Sequence, residues 1–241
     1  MKKKFLIIIS GASGGIGQLL IKKLSKKFKI LCIYNKKKPR FAKTTQYLKI
    51  DYDNPLKIKN ASIKLKKMTL LEKKIIFLNL AAFKIDKISI NINKKEMNKT
   101  FNINYFSLFY LIQAILPNLI KNKWGRVINF SSTGGLAGEV GTLLYTSSKY
   151  ASLGMMSVLS KEFAKFNITF NTIKLGNFDA GMYKKLSENT KANILKKIPS
   201  GKTGDASSIY NAIKFIISSD YVNGSEVSVD GGFNAWWKRF L

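Results

Sequence analysis

A glycine-rich segment near the start of the chain restricts the fold more than any other feature of the sequence. The apolar run Phe5–Ile9 leads directly into Ser10-Gly-Ala-Ser-Gly-Gly-Ile-Gly17, and an apolar stretch with helical spacing, Ile16–Leu24, follows. A strand, a glycine-rich turn and a helix in this order form the first unit of a doubly wound sheet, where the turn can hold a dinucleotide's pyrophosphate at the helix N-terminus. The alternative interpretation is a flexible surface turn.

The remaining chain alternates between short apolar strands and helical stretches. Such alternation predicts a parallel sheet with right-handed crossovers and helices on both faces. With 241 residues and no linker or repeat, we expect a single α/β domain over residues 1–241, built on a doubly wound seven-stranded sheet of the Rossmann type. The predicted strands are Phe5–Ile9, Lys29–Tyr34, Tyr47–Ile50, Ile75–Asn79, Arg126–Ser131, Ile168–Lys174 and Glu226–Val229. The predicted helices are Ile16–Lys27, Pro55–Leu71, Lys94–Lys121, Tyr145–Phe166, Met182–Lys197 and Asp205–Ser219.

A second group of residues indicates acid–base chemistry. Tyr145 and Lys149 are four residues apart, which places them on one helix face, and Ser132 lies thirteen residues before the tyrosine. A neighbouring ammonium can lower the pKa of a phenol towards the working pH of a proton donor. The same spacing also occurs by chance on surface helices. Together with a dinucleotide loop, it indicates hydride transfer to or from a carbonyl.

Over nearly its whole length the chain resembles the short-chain dehydrogenase/reductase family, in its single-domain branch. Within that family it is most similar to the reductases of 3-oxoacyl groups on acyl carrier protein. The matching stretches are Ser10–Gly17, Asn79-Leu-Ala-Ala82, Asn102-Ile-Asn104, Ile128-Asn-Phe-Ser-Ser132, Tyr145-Thr-Ser-Ser-Lys149 and Gly224-Ser-Glu-Val-Ser-Val-Asp-Gly-Gly232.

The resemblance implies roles for four residues. Tyr145 is implied as the general acid in reduction and the base in oxidation, and Ser132 as the group that orients the substrate oxygen. Lys149 is implied to lower the tyrosine's pKa and to hydrogen-bond the nicotinamide ribose. Asn104 is implied to hold a water molecule in the proton relay. All four residue types are present at the matching positions.

The glycine loop supplies the first expected cofactor contacts. Gly11 is expected to form the turn, while Gly15 and Gly17 allow close approach of backbone to phosphate and of helix to sheet. Ser13 and Ile16 are expected to add polar and packing contacts. We expect no metal site, because the chain has no histidine at all.

The end of the second strand bears on which dinucleotide is bound. Its sequence, Tyr34-Asn-Lys-Lys-Lys38, lacks the carboxylate that NAD enzymes usually place on the ribose 2′-hydroxyl. Lysines attract a 2′-phosphate, so we predict NADP rather than NAD, with Asn35 and Lys36 as its contacts. The alternative is that these lysines belong to the general lysine excess of the chain.

The resemblance also implies contacts on the adenosine side of the cofactor. Asp51 is expected to touch the adenine amine, Asn79 to steady the adenosine side and the central sheet, and Ala81 to contact the cofactor in the same loop. The chain departs from the family pattern at four positions: Leu80 and Ala82 replace Asn and Gly, and Leu175 and Ala180 replace Pro and Thr. Because of the last change, backbone groups are expected to contact the nicotinamide amide.

The charge of the chain leaves the choice of partner open. Net charge is +29, but only three of the 42 basic residues are arginines and the lysines are spread along the chain. Nucleic-acid readers favour clustered charge and arginine, so we expect no nucleic-acid partner, although an acidic partner is a minority alternative. The absence of histidine excludes Ser-His-Asp chemistry, and a lone Cys32 in an apolar strand favours a reducing cytoplasm.

The apolar residues of the helix Lys94–Lys121 predict assembly. They occupy more than one helix face, so part of the helix is expected to be covered by another subunit. The family resemblance implies that a partner's Tyr145–Phe166 helix covers the second face, in a dimer or, preferably, a homotetramer. The most apolar part of this helix, Tyr105–Ile120, is interrupted by polar residues and is shorter than a membrane span. We therefore expect no membrane-spanning segment here. Trp236 and Trp237 are expected to pack rather than to line a pocket.

These features predict a cytoplasmic NADP-dependent oxidoreductase that interconverts a ketone and a secondary alcohol. Its substrate would be a small molecule or a carbonyl bound to a carrier protein. One alternative is a reductase of a keto-sugar or another small polar ketone. Alternatives from other classes are a dinucleotide-sensing protein with little turnover and a basic protein held on nucleic acid. The complete set of Asn104, Ser132, Tyr145 and Lys149 argues against the sensing protein.

Overall fold

The protein forms one parallel seven-stranded sheet in a computed structural model, which describes residues 5–39, 45–52, 54–181 and 183–234. The strand order is β3-β2-β1-β4-β5-β6-β7, and every neighbouring pair is parallel. The strands are β1 (Leu6–Ser10), β2 (Lys29–Tyr34), β3 (Thr45–Lys49), β4 (Ile75–Asn79), β5 (Gly125–Ser132), β6 (Ile168–Leu175) and β7 (Glu226–Val229). The predicted doubly wound sheet is confirmed.

Helices cover both faces of this sheet. They are α1 (Gly15–Leu24), α2 (Pro55–Thr69), α3 (Lys94–Phe101), α4 (Ser107–Asn122), α5 (Thr133–Leu136), α6 (Leu143–Glu162), α7 (Glu188–Lys197) and α8 (Ala206–Ser218). A π-helical turn at Asn102–Phe106 joins α3 to α4 without a break. Short 3₁₀ turns lie at Ser89–Asn91, Ala164–Phe166 and Tyr183–Lys185.

Successive residues of the central strands point into two separate cores. Ile8, Phe77 and Val127 lie in the core under α2, α4 and α6, whereas their neighbours Ile9 and Leu78 lie in the core under α1 and α8. Because both faces are buried, these strands are continuous apolar runs rather than alternating ones. The strand order reverses between β1 and β4, and the carboxyl ends of these strands are where a doubly wound sheet binds its ligand.

The helix from Lys94 to Asn122 is longer than the apolar stretch Tyr105–Ile120. By length and composition it could cross a membrane, with 29 residues and a mean hydropathy of 1.4 in its most apolar window. Of that window, 56% is buried inside the protein. Leu108, Leu111 and Ile115 are wholly buried in the core beside β4 and β5, as expected for the core helix of a globular protein.

The boundaries of two predicted helices differ from the observed ones. The predicted helix Met182–Lys197 is a 3₁₀ turn followed by α7, because the Ser187 hydroxyl accepts from the N–H of Thr190 and starts the helix there. The predicted helix Tyr145–Phe166 begins two residues earlier and ends at Glu162. The expected packing of Trp236 and Trp237 lies outside the described residues.

Candidate active site

The structure brings Tyr145, Lys149 and Ser132 together. The tyrosine and the lysine lie on consecutive turns of α6 and are only 5% and 3% exposed. The Tyr145 side chain is hydrogen-bonded to Ser132, the last residue of β5. Lys149 Nζ donates a 2.8 Å hydrogen bond to the carbonyl oxygen of Phe130, two residues before that serine. The predicted trio therefore lies where β5 ends beneath α6.

Burial controls the protonation of this pair. It raises the pKa of Tyr145 to about 12, against a lowering by the Ser132 hydrogen bond, and the charge of Asp86 raises it further. Burial also lowers the pKa of Lys149 to about 8. The expected lowering of the phenol's pKa by the lysine is therefore not found in this structure, because desolvation of the tyrosine outweighs the groups around it.

Asn104 lies in the π-helical turn and reaches two other elements. Its Oδ1 accepts from the N–H of Phe83 at 2.7 Å, and its Nδ2 donates to the carbonyl of Phe83 and to the Ser148 hydroxyl, both at 2.9 Å. Ser148 in turn donates to the carbonyl of Tyr145 at 2.8 Å. The side chain thus connects the loop after β4 to the turn of α6 that carries the tyrosine. π-Helical turns are frequent at functional sites.

The glycine loop needs glycine for close contacts. Gly11 has a φ of +68°, and a Cβ there would lie 2.6 Å from the backbone nitrogen of Ala81. A Cβ on Gly17 would lie 2.6 Å from the carbonyl oxygen of Gly11, so this glycine lets α1 approach the loop itself. The N-cap of α1 is Gly14, and within this fully described helix the first turn carries no acidic side chain. A helix N-terminus of this kind favours an anion.

Gly15 makes a contact that the sequence did not predict. A Cβ on it would lie 2.2 Å from the backbone nitrogen of Gly181, in the segment that follows β6. Close approach at Gly15 therefore involves protein backbone from that segment. Ile16, the next residue, is half-buried and packs on the core under α1.

The basic corner after β2 adjoins the glycine loop. The Ser13 hydroxyl donates to the backbone carbonyl of Lys37, which ties the loop to the corner. Asn35 is half-buried and Lys36 is exposed, so both can be reached from solvent. Lys38 Nζ lies 4.4 Å from the ring centroid of Tyr47 on β3. The corner presents cationic and neutral polar groups beside the loop.

The residues expected on the adenosine side lie at the ends of β3 and β4. Asp51 forms a 2.8 Å ion pair with Lys57 at the start of α2. Asn79 is 1% exposed, and its Nδ2 donates to Asn129 Oδ1 at 2.9 Å. The N–H of Ala81 donates to the Ser10 hydroxyl at 3.3 Å. Asn79 therefore lies within the sheet and links β4 to β5.

The sequence analysis gave no role to four further residues that form hydrogen bonds at the site. Asn129, Ser148 and Ser152 lie inside β5 or α6, and the carbonyl of Phe130 contacts Lys149. The quoted stretches around Ser132 and Tyr145 include three of these four residues. Their hydrogen bonds join residues 19 to 50 positions apart or residues on one helix turn. The spacing of residues in the sequence does not predict such contacts.

Comparison with known sequences identifies the class to which this fold and site belong. A model of the short chain dehydrogenase family matches residues 6–191. The 3-oxoacyl-acyl-carrier-protein reductase of Buchnera aphidicola is 30% identical over 95% of this chain and 97% of its own. The corresponding reductase of Rickettsia felis is 31% identical over 93% of this chain and 95% of its own.

Solved structures of low sequence identity share the fold. A variant actinorhodin polyketide ketoreductase with NADPH superposes with a TM-score of 0.84 at 17% identity, covering 98% of this chain and 99% of that one. The ligand-free aldohexose dehydrogenase of Thermoplasma acidophilum gives 0.84 at 18% identity, covering 96% and 94%. Fold and site define an oxidoreductase that acts on carbonyl or alcohol groups. The chain belongs to the short-chain dehydrogenase/reductase family.

Proposed function

We propose that the protein is an NADP-dependent reductase of 3-oxo groups, with 3-oxoacyl thioesters on an acyl carrier protein as its substrate class. The observation that carries the proposal is the hydrogen bond between Tyr145 and Ser132, with Lys149 on the next helix turn. The names of the 3-oxoacyl-acyl-carrier-protein reductases that match most of the chain support the substrate class. The strongly positive charge suits an acidic carrier protein.

The residues present fit a dinucleotide phosphate. Gly11 and Gly17 bring backbone close together at the N-terminus of α1, which has no acidic residue in its fully described first turn. A bound nicotinamide dinucleotide would supply the hydride. The groups that hold it under this proposal are the backbone and side chains of the glycine loop (Gly11, Ser13, Gly15, Ile16, Gly17), Asn35 and Lys36 for the 2′-phosphate, and Asp51, Asn79 and Ala81 for the adenosine side.

Proton transfer is assigned to the buried trio and Asn104. Tyr145 keeps its proton at neutral pH because burial raises its pKa to about 12, so it can donate that proton to the carbonyl oxygen as the oxygen gains charge. Ser132 orients that oxygen and stabilises the tyrosinate left behind. Lys149 adds a positive charge beside the ring, 5.6 Å from its centroid, and Asn104 holds the proton relay near α6.

The assembly and setting are also part of the proposal. Exposed apolar side chains on α6 and around the start of α4 favour a homotetramer or dimer, namely Phe106, Phe109, Tyr150 and Val158. We place residues 1–241 in a single domain and the protein in the cytoplasm, where the buried thiol of Cys32 stays reduced.

A substrate panel tests the proposed function. Purified protein is mixed with NADPH or NADH and a 3-oxoacyl thioester, a keto-sugar or a small polar ketone, and the absorbance of the reduced cofactor is followed. We expect turnover with NADPH and the thioester, and its loss in Tyr145→Phe. Turnover with the keto-sugar alone would show that the substrate class is keto-sugars rather than 3-oxoacyl thioesters. The absence of turnover with every substrate would contradict the enzyme assignment for this site.

A further inference from the structure

A buried chain of hydrogen bonds runs from the glycine loop to the turn of α6 that carries Lys149. The Ser10 hydroxyl donates to Asn79 Oδ1, and Asn79 Nδ2 donates to Asn129 Oδ1 at 2.9 Å. Asn129 Nδ2 donates to the Ser152 hydroxyl at 3.1 Å, and that hydroxyl donates to the carbonyl of Lys149 at 2.7 Å. Every bond in the chain points in the same direction.

This chain of hydrogen bonds crosses three neighbouring strands, β1, β4 and β5, before it reaches α6. Ser10 pairs with Asn79 in the β1–β4 register, and Asn79 pairs with Asn129 in the β4–β5 register. The three side chains therefore form one row on the face of the sheet that α6 covers. These residues and Ser152 are each at most 1% exposed, so water does not compete for their polar atoms.

A serine inside a helix often bonds the carbonyl one turn back without further consequence. Ser152 differs because its oxygen also accepts from a strand, which fixes the carbonyl of Lys149 relative to β5. The same strand supplies the Phe130 carbonyl that accepts from Lys149 Nζ at 2.8 Å. The lysine is thus held at both its backbone and its ammonium by adjacent residues of one strand.

We propose that Ser152 and Asn129 are positioning residues that set the place of the Lys149 ammonium relative to Tyr145 and couple it to the glycine loop through Asn79 and Ser10. This inference rests on the proposed function, because it assigns a consequence for turnover to the position of Lys149. It concerns residues that do not touch the substrate or the reacting atoms themselves.

The matched control lies on the same helix. Ser160 also donates to the carbonyl three residues back, Ser157, at 2.7 Å, and it is 6% exposed. It lies two turns beyond Ser152, away from Tyr145 and Lys149. Ser160→Ala therefore removes an equivalent local hydrogen bond on α6 without touching the chain from the glycine loop.

The experiment compares Ser152→Ala, Asn129→Val, the double variant and Ser160→Ala in the full-length protein. Turnover is measured with NADPH and acetoacetyl-N-acetylcysteamine over a range of pH, and NADPH affinity by fluorescence titration. We expect Ser152→Ala and Asn129→Val each to lower kcat about tenfold, with an unchanged KM for the thioester and a displaced alkaline limb of the pH profile. Both should weaken NADPH binding several-fold, whereas Ser160→Ala should stay within twofold of the parent.

The double variant shows whether the two residues act as one unit. We expect the double variant to lose no more turnover or NADPH affinity than the more impaired of the two single variants, because each change already breaks the same chain of hydrogen bonds. Melting temperatures identify losses that come from unfolding. Where Ser152→Ala unfolds, Asn129→Val is compared with Ser160→Ala on its own, because it breaks the same chain and leaves the hydrogen bond from Ser152 to the Lys149 carbonyl in place.

Two results would overturn the inference. One is that Ser152→Ala and Asn129→Val match Ser160→Ala in kcat, pH profile and NADPH affinity; the other is that the two losses are additive. Failure of the proposed function has a different signature, since Tyr145→Phe and Lys149→Met would then turn over the thioester at the parent rate.

Discussion

Lys149 Nζ donates to the carbonyl oxygen of Phe130 at 2.8 Å from a position that is only 3% exposed. Burial lowers the pKa of this lysine from 10.5 to about 8. Between these two values the folded protein binds fewer protons than the unfolded chain, so the contribution of Lys149 to stability rises with pH in that window. Below pH 8 the full cost of burying the charge is present.

Replacing Lys149 with Met should therefore stabilise the protein while it abolishes turnover. At pH 7 we expect a gain of about 3 kcal/mol in the free energy of unfolding, because burial lowers the pKa of Lys149 from 10.5 to about 8. The gain should shrink as pH rises from 8 towards 10, because the unfolded lysine then also loses its charge. Urea unfolding at several pH values measures it, with exposed Lys161→Met as the control. A gain independent of pH would contradict the buried charge.

Replacing Tyr145 with Phe should remove the proton donor and leave the fold intact. We expect kcat to fall at least about a hundredfold, the usual scale for a positioned general acid. NADPH affinity should change little, because the proposed phosphate contacts lie on the glycine loop and the corner after β2. Steady-state kinetics and fluorescence titration measure both quantities, with Tyr150→Phe on the exposed face of α6 as the control. Near-parent turnover would remove Tyr145 from the mechanism.

Most of the sheet could be predicted from sequence because its strands are continuous apolar runs bounded by loops. Helix spacing also predicts that Tyr145 and Lys149 lie on one helix face, and the family resemblance implies that Ser132 acts beside them. It does not predict the direction of the tyrosine's pKa shift, because that shift depends on burial in the folded protein. The apolar periodicity does not predict the π-helical turn either. The contact between Asn104 and Phe83 is not predicted, because it joins residues 21 positions apart.

The corner after β2 should select NADPH over NADH. A 2′-phosphate would lie beside Asn35 and Lys36, where the strand end carries no carboxylate within the described residues 29–39. Replacing Asn35 with Asp should shift the ratio of the two affinities towards NADH by at least about fivefold, which corresponds to ~1 kcal/mol. The preference of the parent should fall as salt is raised, because exposed charges are screened. Asn35→Ser is the neutral control, and equal affinities in the parent would refute the selection.

Replacing Gly15 with Ala should displace the segment after β6. The new methyl would lie 2.2 Å from the backbone nitrogen of Gly181, and backbone cannot yield as a flexible side chain can. We expect a loss of about 1 to 3 kcal/mol in the free energy of unfolding, the usual cost of overpacking. NADPH binding should also be weaker, because Gly15 lies in the glycine loop. Gly14→Ala is the matched control, because its methyl would meet only the Gly11 carbonyl oxygen at 3.2 Å. Thermal unfolding and NADPH titration that gave the same result for both variants would show that this contact is not important.

Two exposed helix faces should bury each other in the assembled protein. Phe109 on α4 is 39% exposed and Val158 on α6 is 54% exposed, and both are apolar side chains that a monomer would leave in water. We expect light scattering at micromolar concentration to give two or four times the chain mass of 27.2 kDa. Glu at either position should lower that mass, because a buried, unpaired carboxylate opposes association. Leu71→Glu, at a position 92% exposed beyond the end of α2, should not. A parent protein with the mass of one chain would refute assembly through these faces.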